Sequence, residues 1–174
     1  MNNLLNKLKA EDKFVLRLSK GLQIVYWILI PIYTILFVFI PDADMTIYER
    51  LGGVCFVLAF LVFALVFRHR VKTLKGIDYS VSTIQMLDEA ADRYKLWKPE
   101  FCWVILTVFL IDVGLSISNY YRLEVANWLD RILLVQYILI PAVLVSLSIG
   151  IVWWYLKHKP LRDHALKLLD ELKS

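Results

Sequence analysis

Asp112 is the one acidic side chain set well inside a long apolar run of this 174-residue chain, eleven positions past Phe101. A carboxylate at the centre of a membrane-spanning helix costs about 2.5–3.5 kcal/mol to insert, so it belongs on an interior or hydrated face. Ser116 lies one helical turn further along that face and Asn119 nearly two turns. Asp112, Ser116 and Asn119 thus form a candidate intramembrane polar site, with Thr107 on its flank. Tyr33, Thr34, Gln136, Tyr137 and Ser146 are its potential partners on other helices. Two chemistries fit such a track. The carboxylate can take up and release a proton or cation in a carrier or channel, or it can accept hydrogen bonds that hold helices together. With no intramembrane Lys, Arg or His to pair with it, the second reading weighs more.

Other chemistry-bearing residues are sparse. His69, His158 and His164 show no metal-ligand spacing, and Cys55 and Cys102 read as small apolar fillers. Phosphate-cradling glycine loops, nucleophile elbows and paired carboxylates do not occur in the sequence. The expectation is a protein without enzymatic activity, cofactor or nucleic-acid partner.

The elements that position these residues are apolar runs at 22–40, 51–67, 101–121 and 132–156. Each has about the length needed to cross roughly 30 Å of hydrocarbon. A hydrophobic fraction of 59% and a mean hydropathy of +0.60 suit lipid as the solvent. The first run is too long for the core of a cleaved signal, so it is expected to be retained. Seventeen of the twenty Lys and Arg residues fall in three segments: 1–20, 68–100 and 157–174. By the positive-inside rule those segments face the cytoplasm. Arg68, Arg70, Lys72 and Lys75 are candidate contacts for lipid headgroups.

The expected fold is an all-α integral membrane protein, a four-transmembrane-helix bundle with cytoplasmic amphipathic helices and both termini inside. The organisation reads as a cytoplasmic amphipathic helix at 1–20, spans one and two within 21–67, and a cytoplasmic amphipathic segment at 68–100. Spans three and four follow within 101–157, then a C-terminal cytoplasmic helix at 158–174. Pro31 and Pro141 should kink spans one and four. Ala142, Ser146 and Gly150 make a ridge of small residues suited to close helix packing, within the bundle first and between protomers second. Asp78, Ser80 or Ser82 is expected to cap the amphipathic segment that runs from Ile77 to Lys98. A short interfacial helix carrying Val125, Trp128 and Leu129 is expected in the 119–131 connection.

Val81, Ile84, Leu87, Ala91 and Tyr94 recur at helical spacing as one apolar stripe, a candidate partner-binding face. Leu161, Ala165, Leu168 and Leu172 repeat the pattern near the C-terminus. These helices can instead cover one another as a small cap. The functional expectation is a scaffold, regulator or subunit of a bacterial inner (plasma) membrane, embedded in the lipid bilayer, whose cytoplasmic helices bind a protein partner. The competing expectation is a homo-oligomeric ion channel or proton-coupled transporter centred on Asp112.

Overall fold

A computed structural model describes residues 2–40, 45–79, 81–120 and 127–173. The described residues form helices α1 (Asn2–Thr34), α2 (Ile47–Lys75), α3 (Thr83–Arg93), α4 (Phe101–Asn119), α5 (Trp128–Trp153) and α6 (Lys159–Lys173). One π-helical turn (Ile35–Phe39) extends α1, and another (Trp154–His158) joins α5 to α6 without a break. Four stretches are long and apolar enough to span a membrane: Leu5–Phe39, Ile47–Lys75, Phe101–Asn119 and Leu129–Lys173. The shortest has 19 residues, roughly 28 Å at 1.5 Å per residue.

Two boundaries differ from the sequence reading. Residues 1–20 were expected as a separate surface helix, yet α1 runs from Asn2 through the first apolar stretch to Thr34. Gly21 and Pro31 both lie inside that helix. At the other end, residues 158–174 were expected as a separate helix, but α6 continues from the preceding turn, and Pro160 stands in its first turn, where the missing N–H costs little. Leu129–Lys173 is therefore one helical rod of 45 residues.

Helix α2 packs along both α1 and α4, while α5 touches α4 more lightly. An aromatic seam joins α1 to α2: Tyr26 stacks on Phe63 at 5.0 Å, and Tyr33 meets Phe60 edge-on at 4.9 Å. At the other end of the bundle the α2–α4 contact is made by glycine. A methyl group on Gly52 would collide with Ser118 Oγ and sit 2.6 Å from the Gly114 carbonyl oxygen. Absence of a side chain is what lets these backbones meet. The α2 N-terminus is closed by a capping box, in which Glu49 N donates to Thr46 Oγ1 and Thr46 N donates to Glu49 Oε2.

The bundle turns much apolar surface outward. On α5, Leu133, Ile138 and Ile149 are between 62% and 68% exposed, a surface that water penalises and hydrocarbon does not. A conventional buried core occurs instead at the end carrying both termini. There α3, α6 and the start of α1 enclose Leu8, Leu87, Ala90, Tyr94, Ala165 and Leu169. We refer to this unit as the cap. Ser82 accepts from Gln85 N at the start of α3. Ser80, Asp42, Asp44, Tyr121 and Val125 lie outside the described residues, as do positions 121–126 of the expected 119–131 interfacial helix; Trp128 and Leu129 begin α5 instead.

Candidate functional site

The cap is organised around a carboxylate absent from the sequence reading. Leu8, Asp12, Val15 and Ser19 follow one another at steps of four, three and four along the inner face of α1. Three of them are buried, Asp12 to 5% exposure. Its oxygens accept from three sides. Tyr79 Oη donates at 2.7 Å, an Arg93 guanidinium N–H at 2.5 Å and Tyr94 Oη at 2.8 Å. This satisfies a buried charge that would otherwise be costly. Burial first, and then the Asp12 carboxylate, push both phenols well above the usual tyrosine value, so they remain neutral donors. A second acid–base pair lies one residue away, His158 Nε2 to Glu11 Oε1 at 3.2 Å. Trp154 Nε1 donates to the Tyr94 backbone carbonyl at 2.9 Å, fastening the α5–α6 rod to the end of α3.

Beneath this hub, where the apolar helices enter the cap, lies a cavity of about 270 Å³. Arg70 and His69 reach it from α2, Arg93 from the end of α3, Lys95, Lys98 and Glu100 from the α3–α4 connection, and His158 from the C-terminal rod. Arg93 is engaged by Asp12, and Lys95 Nζ lies 2.6 Å from Asp92. Lys98 is held below the ordinary lysine value, mainly because it is desolvated, with Glu100 only partly restoring its charge. A more apolar groove of about 450 Å³ adjoins the cavity, lined by Val62, Leu65, Val66, His69, Pro99, Glu100 and Trp103. Val66, His69 and Glu100 border both spaces. Among the described residues there is no group of three His, Cys, Asp or Glu side chains able to hold a metal ion. Chemically, the arrangement suits capture of an anion.

The residues singled out in the sequence are placed as follows. Asp112 Oδ1 accepts from Gln136 Nε2, tying α4 to α5. Asn119 Nδ2 donates to Leu115 O on its own helix, and Ser116 is half-buried beside it. Thr34, Thr107 and Ser146 likewise donate to carbonyls one turn back on their own helices. Tyr33 belongs to the aromatic seam, and Tyr137 is 83% exposed. The structure therefore brings together one cross-helix pair, not a track.

Two further expectations need correction. The small-residue ridge does not pack inside the chain: Ala142, Ser146 and Gly150 are exposed, and a methyl on Gly150 would meet nothing within 4 Å. Helix α5 buries Val135, and Pro141 lies between that contact and the open ridge. The stripe is not a free face either. Leu87, Ala91 and Tyr94 are buried and Val81 packs against the cap core, with Leu8 of α1 and Ala165 and Leu169 of α6 among its neighbours. Only Ile84, at 43%, is exposed. Of the four basic residues ending α2, Arg68, Arg70, Lys72 and Lys75 are all exposed, and Arg70 also lines the cavity.

The class defined by these features is an all-helical protein with four helices apolar enough to cross a membrane and a small folded cap. Comparison with protein-family models, curated proteins and solved structures finds no match to this chain.

Proposed function

We propose that the chain is a non-enzymatic integral protein of a bacterial inner membrane, inserted with the cap and both termini in the cytoplasm, acting as a scaffold or regulatory subunit. The observation that carries this reading is the cap itself. It has its own apolar core and a buried charge hub, and unbroken helices connect it to two of the four apolar stretches. The basic residues cluster at that same end, as the positive-inside rule asks. With the Val81–Tyr94 stripe covered from within, the surface left for a protein partner is the outer face of α3 and α6. Asp88, Glu89, Asp163 and Asp170 are exposed there, a face complementary to a basic partner.

Two experiments test this. A thiol introduced as Lys173→Cys in a cysteine-free background should resist impermeant reagents in intact cells and react after permeabilisation. Reaction in intact cells refutes the orientation. A photo-crosslinker placed at Asp170 should trap one discrete protein, lost when Asp88 and Glu89 are changed to Lys. Adducts with lipid and self alone refute the scaffold role.

The transport alternative has less support, because Gln136 already engages Asp112 and helices of this kind are held together by such polar pairs. Flux in proteoliposomes that is abolished by Asp112→Asn would reinstate it. The open Ala142–Ser146–Gly150 ridge would then be the surface joining protomers.

A further inference from the structure

We propose that the cavity beneath the cap and the groove beside it form one site for an anionic phospholipid. Its phosphate would lie between Arg70 and Lys98, and an acyl chain along Val62, Leu65 and Trp103. The inference rests on membrane insertion but not on the cap having a protein partner.

Charge is the first argument. Four guanidinium or ammonium groups line the cavity against two carboxylates. Asp12 is committed to Arg93, and Lys95 to Asp92 outside the cavity. Glu100 is then the carboxylate left facing both Arg70 and Lys98, so the site, in which Lys98 is half-buried and Arg70 and Glu100 are exposed, holds an excess positive charge. A phosphate completes that balance. The lowered basicity of Lys98 fits, since its burial outweighs what Glu100 returns.

Shape separates a lipid from free phosphate. The cavity has room for many waters at about 10–15 Å³ each, or for a headgroup. It shares Val66, His69 and Glu100 with a groove whose other walls are apolar. A soluble anion has no use for that groove, whereas a lipid must place its chain next to its phosphate. Depth agrees as well. The site lies where the apolar run 51–67 of α2 gives way to Arg68, His69 and Arg70, with Trp103 on the neighbouring helix. Basic pockets between helices at that level suit anionic headgroups, and tryptophan suits the interface.

The test is native mass spectrometry of the full chain in detergent, titrated with phosphatidylglycerol or phosphatidylcholine. One phosphatidylglycerol should be retained per chain, in preference to phosphatidylcholine. The double change Arg70→Gln with Lys98→Gln should weaken retention roughly thirtyfold, at about fivefold per basic residue. Arg68→Gln with Lys72→Gln removes the same charge outside the cavity and should leave retention unchanged. Glu100→Gln should tighten binding several-fold, a gain that a misfolded variant cannot produce. Millimolar inorganic phosphate should not displace the lipid. Equal retention of both lipids, equal losses in the two double variants, displacement by phosphate, or no gain with Glu100→Gln would each overturn the assignment.

Discussion

Replacing Asp12 with Ala should loosen the cap while leaving the apolar bundle assembled. The substitution strands three donors at once: the Tyr79 and Tyr94 hydroxyls, 2.7 and 2.8 Å from its oxygens, and the Arg93 guanidinium at 2.5 Å. Removing one member of a buried ion pair costs about 3–5 kcal/mol, because the other charge stays behind. The Arg93 side chain retains 15% of its accessibility and Asp12 only 7%, so water relieves part of the stranded charge. About 2–4 kcal/mol remains after that relief. Since a tenfold change in an equilibrium corresponds to about 1.4 kcal/mol, amide exchange across α3 (Thr83–Arg93) should quicken by roughly thirty- to a thousandfold. Amides in the middle of α2 should not change. Hydrogen exchange read by mass spectrometry in detergent measures both regions in one sample. Paired replacement, Asp12→Leu with Arg93→Met, removes both charges and should recover much of the lost protection. Unchanged exchange in α3 after Asp12→Ala would refute the hub. So would a double variant as loose as the single one.

Three further outcomes follow from the same geometry. Tyr79 and Tyr94 have their phenols pushed up in the folded cap, so the folded state binds their protons more tightly than the unfolded state, where they titrate near 10. Their contribution is complete below pH 10 and declines as pH rises above it; α3 exchange corrected for its intrinsic pH dependence should quicken only in that alkaline range, and no such onset refutes the assignment. Gly52→Ala places a methyl against Ser118 Oγ and the Gly114 carbonyl, which should lower stability in detergent by about 1–3 kcal/mol; an unchanged thermal midpoint would show that α2 and α4 are not so close. Gln136→Leu withdraws the donor to Asp112 and should cost about 0.6 kcal/mol, reaching about 1.7 at most, whereas Asp112→Asn keeps an acceptor and should cost less; the reverse order in thermal melts would contradict the pair.

The four apolar helices were legible because hydrocarbon thickness imposes a length and a composition that few other demands imitate. Their internal continuity was not. A basic, moderately amphipathic segment such as 1–20 reads the same whether it lies on a surface or prolongs a span. Glycine and proline at 21, 31 and 160 suggest breaks. Gly21 is accommodated within α1, where an added methyl would meet nothing within 4 Å, and Pro160 falls in the first turn of α6, where helices tolerate it. The cap's apolar stripes were legible by spacing, but spacing does not say which stripe covers which. That Leu87 and Ala165 share a core containing Leu8 depends on how the rods converge, a long-range matter.

Charge shows the same division between local and distant information. Asp112 stood out because it interrupts an apolar run, and the structure gives it one partner, Gln136. Asp12 lies in a segment already full of charges, although its position in the step Leu8, Asp12, Val15, Ser19 sets it on the inner face. An acid embedded in such a stripe must find donors when the stripe is buried. Its donors come from 67 to 82 residues away, so their identity lies beyond any local pattern, whereas the need for them was written in α1. The same holds for Lys98 and Glu100. Both look like ordinary interfacial charges flanking Pro99, and they gain meaning only when α2 brings Arg70 to the same cavity. In a chain whose helices expose most of their apolar surface, the charges that converge at the cap are brought together by long-range packing, which no local spacing encodes.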